Sequence, residues 1–335
     1  MGATFRPATP PSAPTPVSNS SSNGPTNLIW RDGQLIPWDQ ATLHVMSHVV
    51  HYASSVFEGV RCYETPNGPA VFRLREHMRR LLDSCKIYRM PMRWSLDELC
   101  QGTVDLVAAN ELPACYLRPL AVRTGEQMGV LGTGAPVETF LIAWRWGAYL
   151  GHEALSQGVD VCVSSWRRPA PGTLPTLAKA AGNYLNSQLS KMEARADGYA
   201  EAIVLDNFGY VSEGSGENLF LVRDGVLYTT GLESGILQGI TRDSVLTIAR
   251  DLDIPVRETR IPREMLLLAD ELFFTGTAAE LTPIRSVDKQ PVGDGIVGPI
   301  ARAIQDRYLG IAQGRYPDAH NWLTPVPVPA AAAAG

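Results

Sequence analysis

Two Asp-Gly pairs and one Asn-Gly pair stand between short apolar runs: Asp32-Gly33, Asn67-Gly68 and Asp224-Gly225. A two-residue hairpin turn of the primed type needs positive φ at its centre, which Gly, Asn and Asp tolerate best. Antiparallel hairpins are therefore expected in both halves of the chain, and any fold made only of helices is excluded. Residues 28–30 and 34–36 read as the first hairpin, and 60–63 with 70–74 as the second. An amphipathic helix over 76–88 follows, with Met78, Leu81, Leu82 and Cys85 on one face. A further helix starts at Ser95, where Glu98 completes a capping box. Its apolar surface comes from Leu99, Val104, Leu106 and Val107. Strands at 114–123 and 138–146 complete a small α/β domain spanning 27–146.

Residues 147–158 carry no strong strand signal and read as a connection. A larger domain follows over 159–320. Its strands are expected at 159–165, 201–206, 210–212, 218–222, 226–229, 256–260, 271–275 and 283–287, with helices near 182–196, 241–253 and 299–309. Many short strands, taken as antiparallel, with few helices suggest a barrel-like β core, an α/β (α+β) fold overall. Residues 1–26 are rich in Pro, Ser, Thr and Asn and are expected to be disordered; 321–335 read as a flexible tail.

A net charge of -5 gives no electrostatic case for nucleic acid, and no apolar stretch approaches the roughly 20 residues of a membrane helix. The N-terminus lacks a secretory pattern, and Arg6 stands where a myristoylation signal wants Ser or Thr. Five scattered cysteines without a Cys-x-x-Cys pair argue against zinc or a disulfide frame. A reducing, cytoplasmic setting is expected.

Only four lysines occur, Lys86, Lys179, Lys191 and Lys289, so covalent amine chemistry has few candidates. Lys179 lies among small residues in Leu177-Ala-Lys-Ala-Ala-Gly-Asn-Tyr184, just before a helix start. Small neighbours admit a flat ligand, and an apolar setting favours a neutral, nucleophilic amine. Taken alone, a solvated lysine is the commoner explanation. The run Tyr210-Val-Ser-Glu213-Gly-Ser-Gly-Glu217-Asn218 concentrates glycines and acids beyond the needs of a hairpin. Glu213 or Glu217 could hold a pyridine nitrogen protonated, although a glycine-rich surface loop would look similar. Gly239-Ile-Thr241-Arg opens a helix, whose free N–H groups suit an anion. Thr275-Gly-Thr277-Ala-Ala-Glu280 is a second glycine and hydroxyl turn. Each of these alone is more often an ordinary cap or turn.

In this order and at these gaps, the segments closely resemble the class IV aminotransferases of PLP fold type IV, over roughly 27–315. The resemblance implies pyridoxal 5′-phosphate bound through a Schiff base to Lys179. It further implies Glu213 at the ring nitrogen, Tyr184 at the phenolic oxygen and Leu237 on the ring face. Ile240, Thr241, Thr277 and Arg80 would hold the phosphate, the last by a bidentate guanidinium.

Within that class, His51-Tyr52-Ala-Ser-Ser-Val-Phe57-Glu-Gly-Val-Arg61-Cys-Tyr63, Tyr116-Leu-Arg118-Pro and Ala143-Trp-Arg-Trp146-Gly-Ala-Tyr149 look like the branched-chain type. The resemblance implies transfer of an amino group between leucine, isoleucine or valine and 2-oxoglutarate. Tyr52, Phe57, Trp146 and Tyr149 would wall an apolar pocket, Arg118 would meet the distal carboxylate of glutamate, and Thr277 and Ala278 N–H groups with Tyr116 would take the α-carboxylate. Tyr52 and the loop around Val130 would come from a neighbouring subunit, implying at least a homodimer, with a hexamer left open. Alternatives on the same scaffold are a D-amino-acid or (R)-amine transaminase or an aminodeoxychorismate lyase. A degenerate binding protein should have lost the lysine or the acid, and both are present.

Overall fold

In the computed structural model, residues 24–126, 128–146 and 152–327 are described, apart from the side chain of His152. The hairpins form where their turns predict. Asp32 (φ 45°) and Gly33 (φ 90°) join Arg31 to its partner Gln34, and Asp224 (φ 51°) and Gly225 (φ 73°) join Arg223 to Val226. At the third site the loop is one residue earlier than expected. Thr65 pairs with Gly68, so Pro66-Asn67 make the turn and Gly68 (φ 103°) opens the return strand.

These hairpins belong to an antiparallel sheet. Its order is Leu323–Pro325, Gly68–Phe72, Val60–Thr65, Cys115–Arg123, Val137–Arg145, Leu28–Arg31 and Gln34–Pro37. Ser55–Phe57 pairs beside Cys115–Arg123, and Gly24–Pro25 beside Val137–Arg145. Helices Leu74–Ile87 and Leu96–Ala109 bury Met78, Leu81, Leu99 and Leu106 against Val60, Leu117 and Leu141 of the sheet. The capping box closes as predicted, Ser95 N–H donating to Glu98 at 2.8 Å and Glu98 N–H to Ser95 at 3.3 Å. The first helix starts two residues before its apolar period suggests, because Arg73 turns left-handed (φ 54°) and ends the strand.

The second sheet runs Val256–Glu258, Val226–Thr229, Asn218–Arg223, Glu271–Gly276, Glu280–Val287, Val159–Arg167, Glu201–Leu205, Tyr210–Gly214 and Ile261–Pro262, with Gln290–Pro291 beside Glu280–Val287. It is mixed, not wholly antiparallel. Val159–Arg167 is parallel to both of its neighbours, and Val226–Thr229 is parallel to Val256–Glu258. Parallel neighbours need a crossover, supplied by the helices Tyr184–Ala196 and Ile240–Asp251. The two edge strands, Val256–Glu258 and Ile261–Pro262, are only two residues apart in sequence. Two residues span about 7 Å, so the edges must meet and the sheet curls into a half-barrel. Val161, Ile203, Leu219, Leu272 and Phe274 fill its interior.

A third apolar cluster joins the two sheets. Tyr63, Phe72 and Trp322 meet Phe220, Val245, Ile248, Phe273 and Tyr308 there. Both expected tails lose residues to the fold. Gly24–Pro25 is a strand, and Thr26 is buried with its hydroxyl donating to Ala143 O at 3.1 Å. At the other end, Leu323–Pro325 extends the first sheet and Trp322 is buried against Phe72. Proline and valine runs look unstructured by composition, but an open sheet edge accepts a strand containing proline. Residues 147–151 of the expected connection lie outside the described residues, and His152–Gln157 forms a short helix. Among the described residues, no helix is long and apolar enough to cross a membrane.

Trp322 also carries the Arg73 guanidinium 5.0 Å over its ring, and its carbonyl accepts from Arg73 N–H at 2.6 Å. Trp322→Ala should lower stability to urea by about 3 kcal/mol, the usual loss for a buried tryptophan. A loss below about 1 kcal/mol would mean that the C-terminal segment merely lies against the sheet.

Candidate active site

A cavity of about 290 Å³ opens between the two sheets. Lys179 enters it from the segment after Val159–Arg167, yet its backbone is held by the first sheet. Phe57 N–H donates to Lys179 O at 2.9 Å, Lys179 N–H donates to Ser84 Oγ at 3.0 Å, and Ala180 forms an isolated bridge with Val56. With its base fixed, the side chain extends until Nζ donates to the Tyr184 hydroxyl at 2.7 Å. The rings of Phe57 and Tyr184 meet edge to face at 4.8 Å, and Nζ lies 5.1 Å from each.

Glu213 stands in the same cavity, on a strand buried in the half-barrel. Its Oε1 takes Arg168 at 2.7 Å; its Oε2 takes Asn218 Nδ2 at 2.9 Å and Leu237 N–H at 3.1 Å. A carboxylate oxygen has two lone-pair directions, so one site on Oε1 is left. Burial raises the Glu213 carboxyl, while the Arg168 charge and the Leu237 N–H oppose it. Glu217, the other acid of the run, also lines the cavity. Burial and the nearby Glu201 push it up to about 8, so it is largely protonated at neutral pH. Of the two acids left open by the sequence, Glu213 is the one with a buried cationic partner.

The helix Ile240–Asp251 begins at Gly239 with no side-chain cap, and Gly239, Ile240 and Thr241 line the cavity. A β-carbon at Gly239 would collide with Asn218 Oδ1, so only glycine fits there. Arg80 reaches the same end. Its Nε and Nη2 bind Glu58 at 2.6 and 2.8 Å, and Nη1 donates to Gln238 O at 2.8 Å. Glu58 is fully buried and shares Oε2 with His77 Nδ1 at 2.7 Å. Burial would raise the Glu58 carboxyl, but the charge and hydrogen bonds of Arg80, with those of His77, hold it well below the usual range. Burial lowers His77, so its ring is neutral at pH 7 and Nδ1–H donates to Glu58.

Phe57, Tyr116, Arg118, Trp146, Leu237, Thr277 and Ala278 line the cavity as the sequence suggested. The Arg118 guanidinium lies 4.6 Å over Phe57 and 5.5 Å from the Tyr116 ring, and its buried Nε has no partner among the described residues. Tyr52 and Val130 are not brought into the cavity of this chain. Tyr52 instead accepts from Gly129 N–H at 3.1 Å, and Val130 is 82% exposed. Tyr149 lies outside the described residues.

Sequence reasoning missed Glu58, His77, Arg168 and Arg61. Glu58 had one legible signal, a carboxylate between the apolar runs 55–57 and 60–63. Arg168 had another, since a strand ends there in Arg167-Arg168-Pro169. Their partners are distant in sequence, so pairing was invisible.

Glu58 has a folded pKa below its ordinary 4.5. Its contribution to stability is therefore complete above that value and lost as pH falls below it. Glu58→Gln should cost about 3–5 kcal/mol at pH 7, as breaking a buried pair does. Urea unfolding at pH 7 and pH 3 should find that gap smaller at the lower pH; a constant gap would refute the ion pair as its origin.

The family described as Amino-transferase class IV matches residues 55–287. A branched-chain-amino-acid aminotransferase of Salmonella typhimurium is 52% identical over 301 residues, 90% of this chain and 97% of that relative. The Escherichia coli branched-chain amino acid aminotransferase structure superposes with a TM-score of 0.88 at 51% identity, over 90% of this chain and 100% of that one. The branched-chain enzyme of Thermoproteus uzoniensis, solved with norvaline, gives 0.85 at 43%, over 90% and 100%. Another structure of the same description, solved with pyridoxamine 5′-phosphate, gives 0.87 at 47%, over 90% and 99%. The sequence motifs, the paired sheets and the cavity between them all agree with these relatives, and the chain belongs to the class IV aminotransferases, on their branched-chain-amino-acid branch.

Proposed function

We propose that this transaminase moves the amino group reversibly between L-leucine, L-isoleucine or L-valine and 2-oxoglutarate, with pyridoxal 5′-phosphate held beside Lys179. One observation carries the reading. A half-buried amine, a fixed carboxylate with one open lone pair, and an uncapped helix start beside an arginine converge on one cavity. Those three groups fit an aldehyde, a pyridine nitrogen and a phosphate. When bound, pyridoxal phosphate supplies an aldehyde that captures an amine and a cationic ring that stabilises negative charge on the neighbouring carbon.

The residues of the chain do the rest. The open site on Glu213 Oε1 takes the ring N–H, and a cation there draws the carboxyl back toward its charged form. Tyr184, already bonded to the Lys179 amine, turns its hydroxyl to the ring's phenolic oxygen. Ile240 and Thr241 N–H groups, the Thr241 and Thr277 hydroxyls and Arg80 hold the phosphate. Leu237 covers one ring face. Lys179 Nζ, once free, takes the proton from the substrate Cα and returns it, as a general base and then acid.

Substrate selection follows from the opposite wall. Phe57, Tyr116 and Trp146 give apolar surface for a branched side chain. Arg118, without a carboxylate partner, meets the second carboxylate of glutamate or 2-oxoglutarate. Thr277 and Ala278 N–H groups with the Tyr116 hydroxyl take the α-carboxylate shared by all substrates. We read Tyr52 and Val130 as contributions to the site of a second copy, which makes the working unit at least a homodimer. Exposed Met128, Val130 and Leu131 support that reading. The five free thiols support a reducing, cytoplasmic setting.

Borohydride treatment of the protein with its cofactor, followed by peptide mapping, should leave a reduced pyridoxyl group on Lys179 alone. Lys179→Ala should abolish turnover of leucine with 2-oxoglutarate while retaining some cofactor through the phosphate contacts. Turnover at the wild-type rate in that variant would end the proposal. Arg118→Ala should raise KM for 2-oxoglutarate on the order of tenfold, the usual loss for a hydrogen bond to a charged group, and change KM for leucine little. Equal changes would remove Arg118 from that role.

A further inference from the structure

Arg61 lies on the strand Val60–Thr65 of the first sheet and is not part of the cavity wall. Its guanidinium crosses to the second sheet and binds two consecutive backbone carbonyls. Nε donates to Thr277 O at 3.0 Å and Nη2 to Ala278 O at 3.0 Å, while Nη1 lies 3.7 Å from Glu280. Tyr63, two residues on and so on the same face of the strand, donates to Glu280 Oε1 at 2.9 Å. Glu280 is the residue at which the turn ends, and it sits in the left-handed region with φ 54°.

A trans peptide points its C=O and N–H in opposite directions. Holding the carbonyls of Thr277 and Ala278 on the Arg61 side therefore turns the Ala278 and Ala279 N–H groups the other way. Residues 277–279 line the cavity and Arg61 does not, so those N–H groups face it. Among the described residues neither N–H donates a hydrogen bond.

We propose that Arg61 is a positioning residue for substrate carboxylates: from behind the turn it orients the 277–279 peptides so that their N–H groups receive the α-carboxylate. Tyr63 keeps the end of the turn in place through Glu280. The inference rests on the reading that this turn takes the α-carboxylate, and it adds the residue that makes the turn competent. It also makes substrate affinity depend on how the two sheets meet. Arginine suits the task because its rigid fork spans two carbonyls, whereas a lysine ammonium is a single flexible point.

The test is Arg61→Lys, which keeps the charge beside Glu280 but loses the double grip. Every substrate carries an α-carboxylate, so KM for leucine and for 2-oxoglutarate should rise together, by about tenfold. The dissociation constant of 4-methylvaleric acid, which has the leucine skeleton without the amine, should rise in step. Saturated kcat should stay within about threefold, and pyridoxal phosphate affinity should not change. Tyr63→Phe should produce a smaller parallel rise, about threefold, which serves if the lysine variant does not fold. Unchanged KM values and acid binding would overturn the proposal. So would losses that follow cofactor release or fall on kcat alone, because those mark a structural role. A wild-type protein unable to turn over leucine would instead defeat the transaminase reading itself, which keeps the two failures apart.

Discussion

The Phe57 amide donating to the Lys179 carbonyl is the contact on which the site depends. Lys179 belongs by sequence to the half-barrel, but its backbone is registered on the first sheet through Phe57, Val56 and Ser84. The amine therefore stands in the cleft between the sheets and reaches Tyr184 without freedom to swing at its base. The same seam is crossed by Arg80 on Gln238 O and by Arg61 on the 277–278 carbonyls. Three side chains or backbone groups of the first sheet thus hold three pieces of the second. The apolar cluster of Phe72, Trp322, Phe273 and Tyr308 keeps that seam dry.

Buried acids distribute the charge of the site. Glu58, Glu213 and Glu217 are all removed from water, but they meet different neighbours. Glu58 has Arg80 on both oxygens and remains an anion, so the pair is neutral and the arginine is held in one orientation. Glu213 has Arg168 on one oxygen and two weaker donors on the other, which leaves it raised but poised to respond to a second cation. Glu217 has an acid nearby and burial without an equal compensating charge, so it keeps its proton. The same side chain at similar depth becomes a clamp, a tunable partner or a neutral wall according to what faces it.

The chemistry was more legible in the chain than the packing around it. Lys179, Tyr184, Glu213, Ile240 and Thr241 were found because their short motifs are local: a small-residue setting, a glycine-rich strand end, a helix start. Helix 96–109 was found from its capping box and apolar face. Asp288-Lys289, by contrast, makes a tight turn with φ 48° and 65° and no glycine, so no turn signal marked it. The strand Leu323–Pro325 was missed because its pairing comes from Ala70–Phe72, some 250 positions earlier.

What the sequence determined alone were the properties that neighbours in the chain decide: turns, caps, amphipathic faces, and a lysine and an acid in recognisable settings. Tertiary structure decided which strands run parallel, how the half-barrel closes, and which buried charges pair. Glu58 with Arg80, Glu213 with Arg168, and Arg61 with the 277–279 turn are long-range meetings of charge and dipole. Burial sets their strength, and burial is a property of the folded assembly of sheets that no local run of residues contains.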